Sequence, residues 1–225
     1  MSKEITATFR NDISSQVKVV IKDEAGLCMQ KSISFIKFKE ALESAGKISS
    51  ITPIGKLPKG YYNGGIGDNS NTFRVLIFMP PEERGILLFE KEYVVPMPGI
   101  VFAFEVNKGR INRSACFAVA DKQLTDNSKL FHYPFGNVYS DGKICWGTNA
   151  LPKINSMELI ERAVMMFFAS GTNNDLWRPI GRYKTQESLL KGLCKRKSFP
   201  VKILIPVGRK VKELQDDFLK EIGNY

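Results

Sequence analysis

The four cysteines carry the most nucleophilic side chains of this 225-residue sequence. They are Cys28, Cys116, Cys145 and Cys194, and no two of them form a CxxC pair. Widely separated single cysteines, in a chain expected to stay in the cytosol, argue against a disulfide framework. Because His132 is the one histidine and paired ligand spacings are missing, no metal site is predicted.

Cys145 differs from the other cysteines in its surroundings. It follows Asp141-Gly142, a strong turn signal, whereas Cys116 lies in an apolar run typical of a buried strand. A thiol beside a tight turn can be exposed to a substrate, and its thiolate attacks acyl groups. No histidine is placed to form a Cys–His pair with it, which argues against a papain-like protease. The alternative for a lone cysteine is a small buried hydrophobic residue.

The segments on both sides of Cys145 have a recognisable order. Four short runs rich in β-branched and aromatic residues, with Pro- and Gly-containing links, predict an antiparallel meander. A long aromatic stretch, 122–154, follows them, and a helix begins at Asn155. The four predicted strands are 73–79, 86–90, 100–106 and 111–119.

The two ends of the chain are predicted to be folded extensions of a central core. Residues 1–71 form an α/β extension with a helix over 35–45, and residues 72–177 form the core. Residues 178–225 form a basic C-terminal extension with a helix near 186–193 and a strand at 201–205. Its last helix carries the apolar positions Val211, Leu214, Phe218 and Ile222.

The positive charge of the protein is concentrated in that C-terminal extension. The whole chain has 33 Lys+Arg and 23 Asp+Glu, a net charge of +10, and 12 basic against 5 acidic residues lie from Arg178 onward. A basic section of this kind binds an acidic protein face or nucleic acid, or is only a solvated surface. Its apolar periodicity favours a folded docking element over a loose polybasic arm.

The string from Asn137 to Cys145 resembles the active-site segment of ubiquitin-conjugating enzymes. In that family an Asn stands eight residues before the catalytic Cys, a Gly three before it and an Ile directly before it; Asn137, Gly142 and Ile144 match. More narrowly, the stretch from Pro134 to Gly147 looks like the prokaryotic family D of these enzymes. That group includes the B protein of the PRTRC (ParB-related, ThiF-related) cassette, found on plasmids or mobile elements.

The resemblance implies a fold and a set of site residues. The fold is α+β, like that of ubiquitin-conjugating enzymes, with a four-stranded antiparallel meander, flanking helices, and N- and C-terminal extensions. Cys145 is then the catalytic residue that holds a modifier as a thioester, and Asn137 stabilises an oxyanion or braces the loop. The active-site loop includes Pro134, Phe135, Asp141, Gly142, Ile144 and Trp146.

The sequence departs from the family pattern at three positions of this loop. The usual His-Pro-Asn triplet reads Phe135-Gly136-Asn137, which puts the loop architecture in doubt more than the chemistry. Trp146 stands where many members carry Leu. Asp141 is either an acid near the incoming amine or, as we favour, a turn residue.

The resemblance also implies partners. These are a ubiquitin-like modifier and a ThiF-type activating enzyme; that enzyme uses the ATP, so no cofactor is expected here. Two alternatives stay open: a non-catalytic scaffold that binds a ubiquitin-like protein, and a nucleic-acid-binding module of a plasmid or mobile element. No apolar stretch is long enough for a membrane helix and no signal peptide is visible, so no membrane contact and a cytoplasmic location are expected.

Overall fold

The computed structural model describes residues 3–9, 16–23, 26, 28–45, 55–67 and 71–219. The chain divides into two compact units, Met1–Thr52 and Pro53–Tyr225. The predicted division into three parts, with boundaries at 71/72 and 177/178, stays a prediction.

The first unit is a small antiparallel sheet followed by a helix. Its strands β1 (Lys3–Phe9), β2 (Gln16–Asp23) and β3 (Cys28–Ser34) pair in chain order, and α1 spans Phe35–Ala45. The ring of Phe9 packs edge-on against those of Phe35 and Phe38. The bounds of α1 confirm the predicted helix over 35–45.

The second unit carries the main sheet. Its strands are β4 (Tyr61–Ile66), β5 (Phe73–Met79), β6 (Glu83–Leu88), β7 (Lys91–Pro96), β8 (Gly99–Asn107), β9 (Arg110–Val119), β10 (Lys129–His132) and β11 (Pro206–Lys210). In its described residues six of these strands form an antiparallel sheet in the order β11-β10-β9-β8-β5-β4. Three α-helices, α2 (Glu161–Ala169), α3 (Gln186–Leu193) and α4 (Val211–Leu219), accompany the sheet.

The α+β fold class with antiparallel sheets is confirmed, but the predicted meander needs a correction. The run predicted as its second strand does not join the main sheet: β6 pairs with β7 in a separate hairpin. The two turn residues, Phe89 and Glu90, both have positive φ, which suits a tight hairpin. Closing a loop of two residues costs little conformational entropy, so β6 pairs with β7. Strand β5 then pairs with β8 in the main sheet.

The edge strand β4 lies in a glycine-rich stretch after Gly60 and pairs antiparallel with β5. One further element differs from its prediction. The strand predicted at 201–205 is wrong: Val201–Ile203 is a 3-10 helix and the strand is β11. The apolar residues at alternate positions in 201–205 suit a short helical turn as well as a strand. Strand β11 is an exposed edge strand with few apolar residues, so the hydrophobic pattern did not reveal it.

Helices cover both faces of the main sheet. One cluster of buried residues joins Phe102 and Phe104 of β8 to Phe167 of α2 and to α3. On the opposite face, Phe117 of β9 packs with residues of α4. The predicted apolar positions Val211, Leu214 and Phe218 are all buried, whereas Ile222 lies outside the described residues. Among the described helices, none has the length and apolar character needed to cross a membrane.

Polar contacts fix α4 to the sheet and to the segment before β10. Gln215 Nε2 and Tyr62 Oη both donate to Asp126 Oδ1, at 2.7 and 2.8 Å. The guanidinium of Arg74 donates to the carbonyl of Phe218 at 2.9 Å and pairs with Glu105. These bonds hold the middle of α4 and its last turn.

The Tyr62–Asp126 bond predicts a pH-dependent contribution to stability. Hydrogen bonds from Tyr62 and Gln215 lower the pKa of Asp126 from its ordinary 3.8. The bond therefore stabilises the fold above pH 3.8 and is lost as the pH falls through the lower folded-state value. We expect Tyr62→Phe to lower the urea midpoint at pH 7, and the difference from wild type to shrink below pH 3.8. A difference that stays constant down to pH 2 contradicts this assignment.

Candidate active site around Cys145

Residues 137–145 form a short hairpin, called here the Cys145 hairpin. The Cys145 N–H donates to the Asn137 carbonyl at 2.8 Å, and the Tyr139 N–H donates to the Lys143 carbonyl at 2.9 Å. Val138 and Ile144 form an antiparallel bridge between these two bonds. The eight-residue spacing of Asn137 and Cys145 is thus a cross-strand pairing.

Backbone bonds attach this hairpin to the neighbouring strand β9. The Ile144 N–H donates to the Ser114 carbonyl at 3.2 Å, and the Cys116 N–H donates to the Gly142 carbonyl at 2.8 Å. The side chains of Val138 and Ile144 are buried in the core, so they define the inward face of the hairpin. Side chains alternate along a strand, so the residues on either side of them face outward.

The outward face brings a phenol to the cysteine sulfur. The Tyr139 hydroxyl donates to Cys145 Sγ at 3.7 Å, and this bond is the largest reason that the pKa of Tyr139 is raised from its ordinary 10.0. Cys145 is half-buried, while the ring of Tyr139 is 44% exposed. A neutral phenol beside the sulfur is a hydrogen-bond donor for a thiolate, either as nucleophile or as leaving group.

Asn137 braces the hairpin against the end of α2. Its Nδ2 donates to the carbonyl of Gly171 at 3.0 Å, and its φ is +68°, a conformation that Asn tolerates better than most residues. An amide nitrogen has two N–H groups, so one remains for another acceptor. The structure therefore contains a bracing contact of Asn137. Bracing the loop was one of the two roles that the sequence left open, the other being stabilisation of an oxyanion.

The residues in place of the usual His-Pro pair hold the loop by packing. Phe135 is 2% exposed, and its ring lies edge-on to Tyr133 and Phe199. At position 136 a Cβ atom would lie 2.0 Å from Thr172 Oγ1, so proline does not fit there. Packing of Phe135 and the close approach of Thr172 to Gly136 therefore hold this part of the loop.

The remaining predicted loop residues have structural contacts. Asp141 Oδ1 accepts a bond from the Lys143 N–H at 2.9 Å, which makes Asp141 a turn residue in this geometry. Trp146 is half-buried and its Nε1 donates to Ser114 Oγ at 3.0 Å. Pro134 is buried, and its carbonyl accepts a bond from Trp177 Nε1 at 3.2 Å.

The other cysteines and the histidine lie outside this constellation. Cys116 is buried in β9, and burial raises the pKa of its thiol well above the usual value, so it is unreactive. Cys28 and Cys194 are exposed. His132 is part of β10 and pairs with Phe117; burial, and to a lesser extent Arg178, lowers its pKa. Of the four thiols, Cys145 is the one on this hairpin.

Tyr139, whose hydroxyl contacts the cysteine sulfur, is the residue of this candidate site that the sequence pattern does not single out. The signal that could have found it is the turn at Asp141-Gly142. A turn there sets a hairpin register in which Tyr139 and Cys145 are diagonal neighbours on one face. Without that register, a spacing of six residues carries no structural meaning.

Comparison with known proteins identifies the class of this chain. A family model described as prokaryotic E2 family D matches residues 63–207. This span is well over half of the 225 residues, so the chain belongs to prokaryotic E2 family D, a ubiquitin-conjugating-like family. The resemblance found in the sequence is thereby confirmed at the level of the family. A search of curated proteins and a search of solved structures give no match.

A substitution at Gly142 tests how closely the hairpin is seated on β9. A Cβ at this position would lie 2.1 Å from Phe117 Cζ, and the φ of +89° already disfavours any side chain. We expect Gly142→Ala to lower the free energy of unfolding by about 3 kcal/mol, measured by urea denaturation.

Gly147→Ala is the matched control for that substitution. Its φ is also positive, at +56°, but no atom lies within 4 Å of the added Cβ. It should cost only about 1–2 kcal/mol, the strain of the backbone alone. Equal losses in the two variants would mean that Phe117 does not support the turn.

Removal of the Tyr139 hydroxyl tests the contact with the sulfur. We expect Tyr139→Phe to slow the alkylation of Cys145 by iodoacetamide at pH 8 roughly 2- to 10-fold. This range corresponds to the free energy that one hydrogen bond to the reacting sulfur contributes. Site-resolved mass spectrometry measures the rate. The exposed Cys28 and Cys194 serve as internal controls and should react at unchanged rates. An unchanged rate at Cys145 would show that the phenol does not act on the sulfur.

Proposed function

We propose that this protein carries a ubiquitin-like modifier as a thioester on Cys145 and transfers it to an amine. The observation that carries the proposal is the half-buried Cys145 sulfur beside the Tyr139 hydroxyl, on a hairpin fixed to the sheet of an E2-family fold. No proton-abstracting histidine is needed, since the thiolate is itself a strong nucleophile.

The reaction consists of two acyl transfers. In the first, the Cys145 thiolate attacks the thioester held by a ThiF-type activating enzyme; a new C–S bond forms, the old C–S bond breaks and the thiolate of that enzyme leaves. In the second, an unprotonated acceptor amine attacks the Cys145 thioester; a C–N bond forms, the C–S bond breaks, the Cys145 thiolate leaves and the nitrogen loses one proton to water. The Tyr139 O–H stabilises the sulfur in both steps, because the sulfur is most negative as it enters or leaves.

Asn137 acts in this proposal first as a positioning residue. Its bond to Gly171 fixes the strand that pairs with Cys145, which supports the bracing role. Its second N–H is the donor that an oxyanion role needs. Ile144 and Trp146 anchor the two sides of the cysteine in the core and on β9.

The basic C-terminal section supplies a docking surface in the same proposal. The run Lys195-Arg196-Lys197 is exposed directly after α3, which suits an acidic face on a partner such as the activating enzyme or the modifier. Because that enzyme consumes ATP, we place the reaction in the cytoplasm. The protein needs no cofactor of its own. Within the family, the particular protein we propose is the B protein of a PRTRC cassette of a plasmid or mobile element.

A loading assay with the activating enzyme and the modifier from the same gene neighbourhood tests the function. The wild type should form an adduct with the modifier that a reductant removes, while Cys145→Ala should form none. Cys145→Ser should form a reductant-resistant oxygen ester. Cys194→Ala is the matched control, since that cysteine is also accessible, and it should load like the wild type.

The loading assay, together with binding measurements for the modifier and for nucleic acid, separates the two alternatives. A scaffold would bind the modifier with equal affinity in the wild type and Cys145→Ala and form no adduct in either. A nucleic-acid-binding module would bind DNA or RNA with an affinity that falls steeply with salt. Absence of any adduct with the matching partners contradicts the enzyme proposal.

A further inference from the structure

Lys143 shares the outward face of the Cys145 hairpin with the cysteine. Its carbonyl accepts the N–H of Tyr139, the residue whose hydroxyl contacts the sulfur. Ile144, which separates Lys143 from Cys145, is buried on the inward face. Alternation along the strand therefore directs the Lys143 and Cys145 side chains to the same side.

Among the described residues, no acidic partner holds the ammonium group of Lys143: no carboxylate oxygen of theirs lies within 4.0 Å of its Nζ. The side chain is exposed and borders an open groove of about 300 Å³ between the hairpin and α4. Two acidic residues, Asp141 and Asp217, also line this groove, and Asp217 pairs with Arg209. In the described part of the chain no ion pair fixes the amine, so it can extend along the face of the hairpin.

The separation of the two side chains suits a transfer within one molecule. Positions two residues apart on a strand are about 6.6 Å apart, a gap that the flexible four-carbon stem of lysine spans. Attack needs the amine within about 3–3.5 Å of the carbonyl carbon, which is bonded directly to the sulfur. A group tethered this closely reacts at a high effective concentration compared with an amine in solution.

We propose that Lys143 is an acceptor in cis, a self-modification site that receives the acyl group from Cys145. This inference rests on the proposed thioester function. The unprotonated amine attacks the thioester carbonyl, the C–N bond forms and the C–S bond breaks. The Cys145 thiolate leaves, and the proton lost by the nitrogen goes to water. The product is a chain with the modifier on Lys143 through an isopeptide bond and with Cys145 free again.

The test uses chemical charging, which needs neither the activating enzyme nor the natural modifier. The full chain is incubated at pH 8 with a short peptide that ends in Gly-Gly and carries a mercaptoethanesulfonate thioester. Tandem mass spectrometry locates the peptide before and after reductant treatment. We expect a reductant-sensitive adduct on Cys145 that converts to a resistant adduct on Lys143.

Three variants define the outcome. Lys143→Arg should charge at Cys145 like the wild type but form the resistant adduct at least roughly tenfold less. Lys153→Arg, which changes another exposed lysine that follows the hairpin in the sequence, should behave like the wild type. Cys145→Ala should form no adduct on Lys143.

The failures of the two proposals are distinguishable in this experiment. If Cys145 takes no peptide, the proposed thioester function fails. If Cys145 is charged but the peptide is only hydrolysed, or if the resistant adduct forms equally in Lys143→Arg, transfer to Lys143 is overturned. A Lys143 adduct that persists in Cys145→Ala also overturns it, because the lysine then reacts directly with the free thioester.

Discussion

The attachment of the Cys145 hairpin to strand β9 is the constraint on which the site depends. Two backbone bonds, between Ile144 and Ser114 and between Gly142 and Cys116, continue the main sheet by one irregular strand. Gly142 lies directly on the ring of Phe117, which leaves no space for a side chain. These contacts fix the backbone around Cys145, although the cysteine lies on a long loop, and leave that backbone little conformational entropy to lose.

A second support reaches the hairpin from the opposite direction. The carbonyl of Gly171 accepts a hydrogen bond from the side-chain amide of Asn137. The N–H of the next residue, Thr172, donates to the Leu87 carbonyl, and the Thr172 carbonyl accepts a bond from the Phe89 N–H. The β6–β7 hairpin, whose first strand the sequence placed in the meander, therefore stabilises the segment that accepts the hydrogen bond of Asn137. The same segment fills the space beside Gly136 that a side chain would need.

The distribution of charge acquires a different meaning in the folded protein. The C-terminal section that holds most of the excess positive charge contributes β11 to the edge of the main sheet and α4 to one of its faces. Its apolar residues Val211, Leu214 and Phe218 are buried, so the basic side chains are left on the outside of a folded element. Such a surface adds electrostatic attraction to a partner without losing order on binding.

The sequence alone determined the fold class, the α1 helix, the buried positions of α4 and the Asn137–Cys145 spacing, because these follow from local periodicity and a contiguous motif. It did not predict the β6–β7 pairing, the position of β11 or the contact of Tyr139 with the sulfur. Each of these depends on which strand pairs with which and in what register. Only long-range packing decides that, since one shift of register moves every side chain to the other face.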